Sequence, residues 1–124
     1  MVICYKERKK ANVVENMKVI GDVKGRNVIL VDDLIDTAGT LTKAADMLME
    51  QGAKSVRAYC THPVLSESAY DRIESSQLTE LVVSDSIPLK KESPKIKVIS
   101  VAEHFARVMW NVHHHESISS HFIM

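Results

Sequence analysis

A β-branched and leucine run opened by asparagine, Asn-Val-Ile-Leu-Val at residues 27–31, is followed by apolar positions 41, 44, 45 and 48. The run has the pattern of a strand buried on both faces. The later spacing, i, i+3, i+4, i+7, predicts an amphipathic helix over residues 39–51, with Gly52 placed to cap its end. Residues 55–61, Ser-Val-Arg-Ala-Tyr-Cys-Thr, return to strand. A strand, a helix and a strand joined by short links make a parallel pair with the helix packed across it. That unit constrains the rest of the chain.

The pattern continues downstream. Residues 66–73 read as a second helix, with Ser66 as its N-cap and Glu67 near its positive end. Strands follow at 81–84 and 96–100, separated by a Pro- and Lys-bearing connection at 87–95. A helix at 101–113 leads into the tail ESISSHFIM. Upstream, residues 17–20 read as a short edge strand before the turn GDVKG. Residues 6–10, KERKK, and the polar stretch through Asn16 read as a mobile surface loop. The expected fold is α/β, a mostly parallel sheet with helices on both faces. Residues 1–5 already read as a buried strand with no polar lead-in, so the chain is expected to start inside a domain, truncated at its N-terminus.

The 124 residues suffice for one domain, and 45% hydrophobic with 26% charged residues is a globular balance. Sixteen basic residues offset sixteen acidic ones, so bulk charge steers the chain toward neither nucleic acid nor an anionic membrane. No apolar run approaches the ~20 residues of a membrane span, and the opening does not read as a secretory leader. Cys4 and Cys60 both sit in apolar, strand-like contexts. Each reads as a buried free thiol, and a cytoplasmic location is expected.

The chemistry concentrates in VILVDDLIDTAGTL, residues 28–41. Asp32 and Asp33 are expected at the end of the first core strand, where open parallel sheets bind ligands. Asp36, Thr37, Ala38, Gly39 and Thr40 then lead into a helix. Ala38 and Gly39 let the backbone approach a ligand closely. The first helical N–H groups and the helix dipole favour an anion, and the threonines add hydroxyl donors. This suits one phosphate monoester. The two aspartates upstream can accept from vicinal hydroxyls, and they tolerate each other better when a divalent cation is near. Together they describe a cradle for ribose 5-phosphate. The plainer alternative is an acidic loop with Asp36 as N-cap.

DDLIDTAGT resembles the phosphoribosyl diphosphate (PRPP) motif of type I phosphoribosyltransferase folds. IGDVKGRNVILVDDLIDTAGTL, AYCTHPVLS, ELVVSDSIPL and ESISSHF narrow the likeness to the ribose-phosphate diphosphokinase, or PRPP synthetase, family. The similarity runs over nearly the whole chain and matches that enzyme's C-terminal half. It implies that residues 1–124 are part of a C-terminal domain, with the N-terminal domain absent. The family transfers diphosphate from ATP to ribose 5-phosphate with magnesium, making PRPP for nucleotide biosynthesis.

By this resemblance Asp32 and Asp33 hold the ribose hydroxyls, with magnesium nearby through the substrate, and residues 36–40 cradle the 5-phosphate. Lys6 and Arg8 match a catalytic Lys-x-Arg pair on a flexible loop. Glu7 stands where the family commonly has a basic residue. Ser117 and Ser119 match serines of an intersubunit site for ADP or phosphate in regulated, oligomeric members. The family's ATP-gripping residues have no counterpart here, so the chain alone is expected to bind ribose phosphate without turnover. The alternative is a non-catalytic relative that serves as a regulatory or interaction module. His113, His114 and His115 point different ways around a helix and do not converge on one metal. Trp110 reads as packing, and His62 as structural.

Overall fold

The computed structural model of the protein describes residues 3–10 and 13–121, with side chains from residue 21 onward. Four strands form one parallel sheet: Asn27–Ile35 (β3), Ser55–Pro63 (β4), Glu80–Ser84 (β5) and Ile96–Ile99 (β6), in that spatial order. Helices Gly39–Glu50 (α1) and Ala69–Ser75 (α2) form the β3–β4 and β4–β5 crossovers. Ala102–His113 (α3) follows β6. The α/β class, the parallel sheet and this order of elements agree with the sequence reading.

The register explains the core. Leu30, Ala58, Leu81 and Ile96 are neighbours across the sheet. They pack in one cluster with Leu41, Ala45 and Leu48 of α1 and Ala69 and Ile73 of α2. The apolar positions counted along residues 39–51 are thus the buried face of α1. Gly52, at φ 89°, closes this helix in the left-handed conformation that favours glycine, its N–H donating to the Met49 carbonyl.

The next row, Val31, Tyr59 and Val82, lies on the other side of the sheet. There Val31 is 80% and Ile29 58% exposed. β3 is therefore not buried on both faces. Its β-branched run covers the α1–α2 side and leaves the other open, and α3 buries none of its residues.

A second difference lies upstream. Ile3–Lys10 (β1) and Val13–Ile20 (β2) pair as an antiparallel hairpin, Lys6 opposite Met17 and Arg8 opposite Val14, with register shifts on both sides of Arg8. Residues 6–10 are strand, not loop. A hairpin ladder is made by backbone groups, so dense side-chain charge does not prevent pairing. Residues 1–2 of the expected opening strand, 11–12 of the expected loop and 122–124 of the tail lie outside the described residues. Among the described residues no helix is long and apolar enough to cross a membrane.

Candidate functional site

β3 extends past the predicted strand end, because Leu34 and Ile35 still pair in register with His62 and Pro63 of β4. Asp32 and Asp33 are therefore inside the strand, at its carboxyl end. As successive strand positions they alternate sides of the sheet, so their carboxylates do not stack as one block. Both are exposed. The Asp33 N–H donates to Asp32 Oδ1 at 3.0 Å.

The loop at residues 36–40 joins β3 to α1 as expected, at the carboxyl edge of the sheet. Asp36 does not cap α1. The cap position is Ala38, at φ 59° and ψ 1°, with no side-chain capping bond. The helix starts at Gly39, and N–H groups of a first turn have no intrahelical acceptor. Ala38 is buried while Thr37, Gly39 and Thr40 are half-buried. Thr42 anchors the turn, its buried hydroxyl and its N–H both donating to the Ala38 carbonyl at 3.0 Å.

A neighbouring loop meets this one. The Leu65 N–H donates to the Ile35 carbonyl, and the Ser66 N–H to the Asp36 carbonyl, each at 3.1 Å. Ser66 Oγ also donates to Asp36 Oδ1. Ser66 is thus no helix cap, since α2 begins at Ala69 with Ser68 before it. From α2, Arg72 Nη1 donates to the Thr37 carbonyl at 2.7 Å. Sequence reasoning assigned nothing to Thr42 or Arg72, because contacts to backbone carbonyls leave no motif. For Ser66 a plausible local role concealed the longer-range one.

Cys60, next to Asp32 in the register, is a free buried thiol whose Sγ lies 3.6 Å from the Asp33 carbonyl. Burial pushes its pKa up, and the Asp32 and Asp33 charges add to the shift, leaving a poor nucleophile. Cys4 is in β1, its side chain outside the described residues. A cleft of about 270 Å³ opens on the uncovered side of the sheet, lined by Val31, Asp32, Tyr59, Val82 and Ile99 among others. It is mostly apolar and shares Asp32 with the loop site.

Among the described residues no group of three or more His, Cys, Asp and Glu could hold a metal ion. Magnesium needs only one or two protein carboxylates, and the exposed Asp32 and Asp33 each offer one. His62 lies at the carboxyl end of β4, its Nδ1 3.0 Å from Ser86 Oγ. Trp110 is not core packing, being 63% exposed and stacked on His114 with ring centroids 4.0 Å apart. Ser117 Oγ and Ser119 Oγ bond to each other at 2.9 Å, and Asn111 Nδ2 donates to the Ser117 carbonyl. The side chains of Lys6 and Arg8 lie outside the described residues, so only their place on β1 is seen.

The ribose-phosphate pyrophosphokinase of Wolinella succinogenes is 59% identical over 123 residues, covering 99% of this chain and 40% of that protein. That of Campylobacter jejuni is 60% identical over 123 residues, with the same two coverages. The chain thus spans about two fifths of these relatives' length. The crystal structure of phosphoribosylpyrophosphate synthetase from Mycobacterium smegmatis superposes with a TM-score of 0.78 at 36% identity, over 83% of this chain and 35% of that one. A strand-to-helix loop at the carboxyl edge of a parallel sheet and these likenesses agree with a family profile that matches residues 5–123. The chain belongs to the phosphoribosyl synthetase-associated domain family.

Proposed function

We propose that this chain is the ribose-phosphate-binding part of a ribose-phosphate diphosphokinase, a larger protein that makes PRPP. The observation that carries the reading is the loop at residues 36–40, whose amides open α1 directly downstream of the exposed Asp32 and Asp33. The amides and threonine hydroxyls can donate to a 5-phosphate dianion, and the helix dipole favours its charge. Asp36 is a carboxylate already accepting from Ser66, so it shapes the loop rather than donating to phosphate. Asp32 and Asp33 can accept from the ribose hydroxyls and fix the sugar's orientation.

In the complete enzyme the anomeric hydroxyl oxygen would attack the β-phosphorus of ATP. A new O–P bond forms as the hydroxyl releases its proton to solvent, the bond from the β-phosphorus to the oxygen bridging it to the α-phosphorus breaks, and AMP leaves with that oxygen. Magnesium, when bound, neutralises phosphate charge and orients the transferred group. Lys6 and Arg8 are the cations assigned to the charge that develops on bridging and leaving oxygens. Ser117 and Ser119 belong by the same reading to an anion site for ADP or phosphate between subunits of a homo-oligomer, and their hydroxyls would exchange one another for the anion.

The chain is expected to bind ribose 5-phosphate with magnesium in a titration followed by backbone amide shifts, and to release no AMP from ATP. The double variant Asp32→Asn, Asp33→Asn should weaken that binding without loss of stability, because both residues are exposed and substitutions at the surface change stability little. Robust AMP release by the chain alone, or unchanged affinity in the double variant, would count against the reading.

A further inference from the structure

The loop at residues 36–40 is gripped from outside by residues that neither the motif nor the family match assigns. Ser66 fixes Asp36 through its N–H and its hydroxyl. One residue on, the guanidinium of Arg72 takes the Thr37 carbonyl at 2.7 Å. The same Nη1 lies 4.0 Å from where a Cβ on Gly39 would stand, so the cation sits beside the backbone that opens α1. Both loops carry non-glycine residues in the left-handed region, Ala38 at φ 59°, Leu65 at 44° and Glu67 at 52°. Such conformations persist where surrounding contacts over-determine them. Among the described residues no carboxylate forms an ion pair with Arg72, and its contact to the loop is to a backbone carbonyl.

We propose that Arg72 is a positioning residue for the sugar-phosphate loop, acting through the Thr37 peptide. This rests on the ribose-phosphate reading above. A guanidinium holds five N–H donors in a rigid plane. One of them pins the Thr37 carbonyl, which fixes the peptide leading into Ala38 and hence the direction of the Gly39 and Thr40 N–H groups. Its positive charge, held beside the backbone that opens α1, also lowers the cost of bringing a phosphate dianion to a site crowded by Asp32, Asp33 and Asp36. α2 therefore does more than cover the sheet. It holds the loop in the shape that an anion needs.

The test is a titration of the full chain and its Arg72 variants with ribose 5-phosphate and magnesium, read by amide chemical shifts. Arg72→Met should weaken ribose 5-phosphate by about tenfold, the worth of one charge-assisted hydrogen bond. It should also move the Thr37 and Gly39 amide resonances of the unliganded chain while leaving those of β5 in place. Arg72→Lys should recover most of the affinity, because it keeps a charge and a donor. Should Arg72→Met fail to fold, Arg72→Gln takes its place and should also bind more weakly than Arg72→Lys. Wild-type affinity in the neutral variant, or Arg72→Lys no better than it, overturns the assignment to Arg72 alone. A wild-type chain that does not bind ribose 5-phosphate overturns the function proposed above and this role with it.

Discussion

Ala38 shows how a single residue carries two opposed demands. Its backbone is left-handed, which costs an L-residue about 1–2 kcal/mol, and its methyl is buried in the main core cluster. Burying that carbon returns about 0.8 kcal/mol. Glycine would relieve the first term and forfeit the second, so Ala38→Gly should leave stability within about 1 kcal/mol of wild type. Ala38→Val should cost about 2 kcal/mol or more, since a β-branch is poorly tolerated at positive φ and overfills the cluster. Urea unfolding of the three proteins decides it. Equal losses in both variants would show that the methyl's packing, not the backbone conformation, governs the position.

Elements were legible where burial imposes a period. The α1 stripe is the clear case, because Leu41, Ala44, Ala45 and Leu48 are all buried. The hairpin β1–β2 is legible only at its open end, where residues 3–5 and 17–20 read as strand and pair with each other; its charged middle reads as loop, since that pairing rests on backbone groups. β3 runs longer than its sequence suggests, because Asp32 and Asp33 are unfavourable strand residues that register with β4 nevertheless keeps in line. At the site, the loop and its carboxylates were legible from spacing, whereas Ser66 and Arg72 act across the fold and left no local signal.

The same cross-strand logic yields a pH prediction. Glu80 of β5 bonds Arg57 of β4 at 3.0 Å and Lys97 of β6 at 2.8 Å, tying three strands through one carboxylate. Lys97, then Arg57, hold the Glu80 carboxyl below its ordinary range. The Ser100 hydroxyl and the Val101 N–H do the same for Asp85. A lowered folded-state pKa means the unfolded chain binds protons first as pH falls. The stabilisation is full above the ordinary carboxylate range and is lost as pH falls from there through the lowered folded-state value. Stability should therefore decline as pH drops from that range toward the lowered folded-state value, and Glu80→Gln should flatten the decline. An unchanged acid slope in Glu80→Gln would mean that the ion pairs are too solvated to matter.

For the whole molecule the asymmetry of the sheet dominates. One side is packed by α1 and α2, while the other shows Ile29, Val31 and Tyr59 to solvent. The exposed α3 residues Phe105, Met109 and Trp110 add apolar surface of their own. Two valines on adjacent strands separate the faces cleanly. Val56 of β4 is fully buried and Val31 of β3 is 80% exposed. Replacing either by threonine keeps shape and β-branching and exchanges a methyl for a hydroxyl. At Val56 the hydroxyl enters an apolar cluster, and Val56→Thr should cost about 1–3 kcal/mol. At Val31 it meets water, and Val31→Thr should change stability by no more than about 0.5 kcal/mol. Denaturant midpoints of the two variants measure the contrast directly. A loss at Val31 as large as that at Val56 would show that the open face is covered in solution, and a concentration-dependent midpoint in the wild-type chain would then identify a second copy as the cover.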